Sequence, residues 1–288
     1  TRYGQQSSQW VGAAAGRNSN PSGSFILCTA VGVLYPECVA NSALDQSNGP
    51  WSVGDAFAFS QRFGQSALIQ MDQLDDNLLK EYADKFFGFG NRNAPVWFVG
   101  IEEAGGWEME DVRRRLDAWK LQKLELEDAP AFYPASGNNR WHGEGAERQG
   151  TWEQLIRILL VAQGKTDTEE AILNYQRECL GRPDGETCLA ELLPLPSPSV
   201  KEWRYANWSG LRWLQSRDRY YAHLLVPRAA AIARRIKLMQ PPIVIFYGTT
   251  FFQTWSSIAG GAWTQAIPGK LVTFTAGRTI FFATKHPA

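Results

Sequence analysis

Two acids followed by two glycines stand at Glu102-Glu103-Ala104-Gly105-Gly106, directly after the apolar run Pro95-Val-Trp-Phe-Val-Gly100. Glycines there let backbone approach a ligand closely, and an acid on that loop suits a general base or a stabiliser of developing positive charge. The same spacing also suits a plain strand-end acid that caps the next helix. A second candidate lies at the end of the chain, where Lys285-His286-Pro287-Ala288 follows the run Thr279-Ile-Phe-Phe-Ala-Thr284. Proline confines its predecessor to extended backbone, so His286 is fixed just past that run. A histidine so placed can exchange a proton or donate a hydrogen bond, or it can be structural.

These groups need a scaffold, and the hydrophobic pattern supplies one. The spacing predicts helices over about 72–87, 108–123, 152–162, 169–179 and 220–239, and one through Phe252 and Trp255. Thr151 and Thr168 are expected as N-caps. Continuous apolar runs at 95–100, 187–193 and 242–247 predict buried strands, with two more at 271–275 and 279–284. Strands alternating with helices predict an α/β fold: three layers, α/β/α, around a central, mostly parallel four-stranded sheet. Ligands of such sheets bind beyond the carboxyl ends of the strands. That rule brings 100–106, 191–199, 248–250 and 285–288 to one edge.

The totals narrow the classes. The chain has 288 residues, is 44% hydrophobic and 12% aromatic, and carries zero formal net charge from 29 basic and 29 acidic side chains. It can build a large core, and no bulk positive field announces a nucleic-acid partner. Cys28, Cys38, Cys179 and Cys188 form no CxxC pair, and read as free thiols of a reducing compartment. No metal site, membrane span, P-loop or GxSxG elbow is visible. Only six charged residues fall in the first seventy, and Met71 opens the first helical pattern. Residues 1–70 are therefore expected to be an N-terminal extension, non-native or disordered, and 71–288 the domain, truncated at its C-terminus.

An apolar strand ending in the loop Gly100-Ile-Glu-Glu-Ala-Gly105, a strand with a Gly turn at Ile243-Val-Ile-Phe-Tyr-Gly248, and a last strand ending in His-Pro-small resemble the uracil-DNA glycosylase superfamily over about 95–288. The corresponding family motifs take forms such as GQDPY, GEAPG or GINPG, and HPS. The resemblance implies a base-excision glycosylase that flips a nucleotide from DNA and hydrolyses its N-glycosidic bond, the base being uracil or a modified cytosine. Glu102 falls where the family has its catalytic acid or amide, with Glu103 as the rival. Glu103 also replaces the motif proline, and Ile101 stands where one form of the motif carries an acid. His286 would donate to the leaving base. Gly100, Ile101 and Gly105 would line the base site.

Glu191, in Leu189-Ala-Glu-Leu-Leu-Pro-Leu-Pro196, stands where the family reads the base with asparagine. An ionised glutamate only accepts, which suits an exocyclic amine; alternatively it pairs with an arginine. Phe132 and Tyr133 occupy the loop that stacks a ring on the base, near Trp141. Lys201, Arg204 and Lys285 are the expected DNA contacts. Trp203, Tyr205, Trp208 and Trp213 interleave with Lys201, Arg204 and Arg212, either to stack on bases or to pack on the core. Arg113, Arg114 and Arg115 read as a solvated helix face. The resulting expectation is a cytoplasmic monomer that needs no cofactor or metal and takes DNA as its partner. Loss of the motif proline supports an alternative, a catalytically inactive nucleotide or nucleic-acid sensor on the same fold.

Overall fold

The computed structural model describes residues 73–199 and 201–287. The expectations for residues 1–70 and for Met71 as the start of the domain lie outside the described residues. Asp75 begins the first helix by accepting from the Asn77 and Leu78 N–H groups at 2.9 and 3.1 Å. Helix α1, Asp76–Lys85, buries Leu78, Leu79, Tyr82 and Ala83 on one face. Strand β1 (Gly88–Gly90) follows, then β2 (Val96–Gly100), α2 (Met109–Lys120), β3 (Leu126–Glu127) and α3 (Ala129–Ala135). Helices α4 (Gly150–Ala162) and α5 (Glu169–Glu178) lead into β4 (Thr187–Glu191). A short helix, α6 (Tyr205–Trp208), precedes the 23-residue α7 (Arg217–Met239). The chain finishes with β5 (Ile243–Tyr247), α8 (Phe252–Ala259), β6 (Thr264–Ile267), β7 (Leu271–Ala276) and β8 (Thr279–Thr284).

The fold is α/β. The sheet departs from the expected four strands: it has eight, is mixed, and runs β3-β1-β4-β2-β5-β8-β7-β6. Its centre, β4-β2-β5-β8, consists of four of the five strands read from the sequence, adjacent and parallel; the fifth, at 271–275, is β7 and pairs antiparallel with β8. In β4 all five residues are buried, and in β2 and β5 four of five are. Successive strand residues face opposite sides, so both faces of the sheet are covered at β4, β2 and β5, while burial in β8 alternates.

Of the outer strands, β7 matches the run at 271–275, while β1, β3 and β6 escaped the sequence reading for physical reasons. β1 and β3 hold three and two residues, too few to display a period. Gly88 and Gly90 let β1 lie close against β4: a Cβ at Gly88 would sit 1.9 Å from the Leu189 carbonyl oxygen. β6 and β7 form an antiparallel extension on β8 whose side chains are largely solvent-facing, so no buried run marks β6. Helix α3 holds two prolines in seven residues; Pro130 stands in its first turn, where no N–H partner is lost. The N-cap of α4 is Gln149, not Thr151, and its side chain accepts from Trp152 N–H at 2.6 Å. Thr168 caps α5 as expected, accepting from Ala171 N–H at 3.2 Å. No helix among the described residues is long and apolar enough to cross a membrane, and Cys179 and Cys188 are free thiols.

Candidate functional site

At the carboxyl ends of β2 and β4 the parallel ladder does not stop with the strands. Leu192 and Leu193 N–H donate to the Gly100 and Ile101 carbonyls at 2.9 and 2.8 Å. Further on, Ser197 N–H donates to Glu103 O at 3.0 Å and Gly105 N–H to Ser197 O at 3.2 Å. The segment 100–105 is thus laced to 192–197 at both ends, and the two acids leave a fixed backbone. Their loop, Glu191, Tyr133, Tyr247 and His286 line one cavity of about 680 Å³.

Each acid of the pair has its own cation. Arg217 Nη1 donates to both Glu102 carboxylate oxygens, at 2.8 and 2.9 Å, and both side chains are buried. Arg217 is itself held by Ser197 Oγ, by the Ser199 and Glu202 carbonyls at 2.7 and 2.9 Å, and by stacking on Trp203 at 4.9 Å. Burial raises the Glu102 pKa above the usual carboxylate value, and Arg217 opposes that rise. Glu103 pairs with Arg115 at 2.5 Å and accepts from Tyr133 Oη at 3.0 Å. Arg115 also donates to Tyr82 Oη at 2.7 Å and lies over the Phe132, Phe86 and Phe89 rings.

Glu191 is the third acid and has no cation on its carboxyl group. It is 7% exposed. Its Oε1 accepts a long bond from Tyr247 Oη at 3.4 Å, and its Oε2 has no partner among the described residues. Burial, then the Glu103 charge, hold this carboxyl well above the usual carboxylate range. Gly100 makes the arrangement possible: a Cβ there would stand 2.3 Å from Tyr247 Oη and 2.7 Å from Glu191 Oε2. Behind it, the buried Arg228 donates to the Glu191, Leu192 and Phe86 carbonyls at 2.8, 3.0 and 2.7 Å. Those bonds satisfy the ends of β4 and α1 and fix where the Glu191 side chain begins.

His286 is exposed at the cavity rim, its ring 5.6 Å from that of Tyr247. Partial desolvation lowers its pKa from the ordinary imidazole value, so the neutral ring is the form present at pH 7. Opposite, the cavity wall carries Trp141 beneath Arg140, 4.5 Å from the ring centre, with Arg114 and the exposed Trp107 nearby.

The residues expected from the sequence separate into two groups. Glu102, Glu103, Gly105, Glu191, Tyr133 and His286 border the cavity. Gly100 and Ile101 lie just behind it, Ile101 packed on the core. Phe132 is not at the cavity; it is 4% exposed and packed against Phe86 and Phe89. Arg204 bonds the Trp107 carbonyl and pairs with Glu202 and Glu108, while Lys201 and Lys285 are exposed away from the cavity lining. Tyr205 is buried, and Trp203, Trp208 and Trp213 are half-buried on the core, which favours packing over an exposed stacking platform. Arg115 is buried, correcting its reading as part of a solvated face. Arg217, Arg228 and Tyr247 were not foreseen. Nothing local distinguishes Arg217, which stands among Gln215, Ser216, Asp218 and Arg219 at the start of α7. Comparison of the chain with protein-family models, with curated proteins and with solved structures finds no match.

Proposed function

We propose that the chain is a base-excision glycosylase that takes a flipped nucleobase into the cavity of about 680 Å³. The observation that carries this reading is the convergence there of Glu102, Glu191 and His286 from the ends of three parallel strands of one sheet. The resemblance to uracil-DNA glycosylases, and with it a four-stranded parallel α/β/α centre, belongs to the same proposal. Breaking an N-glycosidic bond places positive charge on the sugar and negative charge on the departing base. Glu102, a buried carboxylate on a rigid loop, stabilises the sugar cation. Neutral His286 donates an N–H to the base oxygen as charge builds there. Burial raises the pKa of Glu191, favouring its acid form, in which it would offer both an O–H donor and a carbonyl acceptor, as an amide does. That reverses the acceptor-only expectation and lets it pair with the donor–acceptor edge of uracil or of a cytosine derivative.

The pairing of Glu102 with Arg217 and of Glu103 with Arg115 supports a second reading, a binding protein that holds a base without cleaving it. Single-turnover base release from a panel of modified-base oligonucleotides, single- and double-stranded, separates the two. The glycosylase reading expects release from at least one oligonucleotide, slowed about 10²–10³-fold by Glu102→Gln and by His286→Ala. Binding to such oligonucleotides with no release from any supports the sensor; neither binding nor release sinks both.

A further inference from the structure

A second cavity lies between the sheet and α7 and shares no lining residue with the first. It measures about 190 Å³ and is bounded by Trp97 of β2, Cys188 and Ala190 of β4 and the last turns of α7. Phe87, Leu126, Ile232 and Met239 give it apolar walls. Trp97, 2% exposed, borders it, and the Trp97 indole N–H has no acceptor among the described residues. A buried donor left unpaired is costly, so an acceptor that reaches it gains the full value of that bond. Arg92 and Arg235 also line the cavity, against one carboxylate, Glu125. Arg235 Nε is engaged by Glu125 and its Nη1 donates to Ala231 O at 3.0 Å. The remaining balance of charge is positive, which favours an acceptor that is an anion.

We propose that this cavity is a binding site for a small organic acid: one ring or short branched chain bearing a carboxylate. The carboxylate would accept from Trp97 Nε1 beside the arginines, and the apolar part would rest on Phe87, Ile232 and Met239. Size fits the assignment, because an apolar cavity of about 150 Å³ holds benzene, leaving room here for one added carboxylate. The site is separate from the cavity that holds Glu102, and it stands whether or not the chain cleaves glycosidic bonds.

Benzoate is the probe. Titrated into the full chain labelled with ¹⁵N at tryptophan, it should shift one indole N–H resonance progressively and saturably. That resonance is identified as Trp97 by its absence from Trp97→Phe. The same variant should bind benzoate about tenfold or more weakly, the worth of one charge-assisted hydrogen bond. Its remaining indole resonances report that the fold is intact. Arg92→Gln, at an exposed side chain, should weaken benzoate several-fold, and benzamide, the neutral isostere, should bind more weakly than benzoate. An unmoved Trp97 resonance at tens of millimolar benzoate would overturn the proposal. So would equal binding by Trp97→Phe, or equal affinity for benzamide.

Discussion

Replacing Arg217 with methionine removes the only cation that reaches the Glu102 carboxylate among the described residues. The variant loses two bonds to Glu102, at 2.8 and 2.9 Å, together with the bonds that tie the guanidinium to Ser197, Ser199 and Glu202. Glu102 is 7% exposed and would remain buried with its charge unmatched. Removing one partner of a buried pair costs about 3–5 kcal/mol. Urea denaturation at pH 7 should therefore show Arg217→Met destabilised by about that amount. Adding Glu102→Gln should return at least about 1–2 kcal/mol, since a neutral amide needs no counter-ion.

The sign with pH follows from the direction of the shift. Burial already raises the folded-state pKa of Glu102, and loss of Arg217 raises it further. A carboxyl whose folded pKa exceeds its unfolded value contributes stability while protonated and loses it as pH rises through the folded pKa. The defect in Arg217→Met should accordingly shrink from pH 8 to pH 5. A loss below about 1 kcal/mol would refute the account, as would an equal loss when Glu102 is already glutamine.

Glu191→Gln should gain stability over the parent as pH rises from 5 to 9, because the parent must ionise a buried carboxyl whose pKa is raised and the amide need not; thermal melts at each pH measure this. His142 is buried with both ring nitrogens unpartnered among the described residues, and its pKa is pushed down to about 4. Protonation therefore favours the unfolded chain, and stability should fall by about 3 kcal/mol as pH drops from about 6.5 to 4. His142→Phe should abolish that loss, and a variant whose stability follows pH as the parent's does between 7 and 4.5 would contradict the assignment. Gly100→Ala drives a methyl into Tyr247 Oη and Glu191 Oε2; a loss of about 1–3 kcal/mol is expected on urea unfolding, and an unchanged midpoint would mean the floor of the cavity yields freely.

Burial on both faces made the central strands legible. The runs at 95–100, 187–193 and 242–247 read as buried, and the carboxyl ends of the first two and of the run at 279–284 led to Glu102, Glu191 and His286. What the sequence concealed depends on partners far apart in the chain. Arg217 meets Glu102 across 115 residues, and Arg228 meets the end of β4 across 36 to 37. No local period signals such a pair. The same holds for Phe132: an aromatic in a Gly- and Pro-rich loop reads as a stacking ring, but α3 turns it inward onto Phe86 and Phe89. The depth of Glu191 was hidden for a different cause: the strand's position in the sheet buries its carboxyl, and that burial raises the pKa above the usual carboxylate range.

The outer hairpin bears on how this chain behaves among copies of itself. β6 is exposed at all four positions, and Ile267 there is 48% exposed. A straight edge strand of that kind would present its free amides and carbonyls to any passing strand. Between Gln265 and Ile267, however, the register against β7 shifts. Such an irregularity twists the rim and interrupts its row of donors and acceptors, which blunts strand-to-strand growth. Colloidal stability of a protein with zero net charge thus rests partly on one misaligned residue at the rim of the sheet, remote from both cavities.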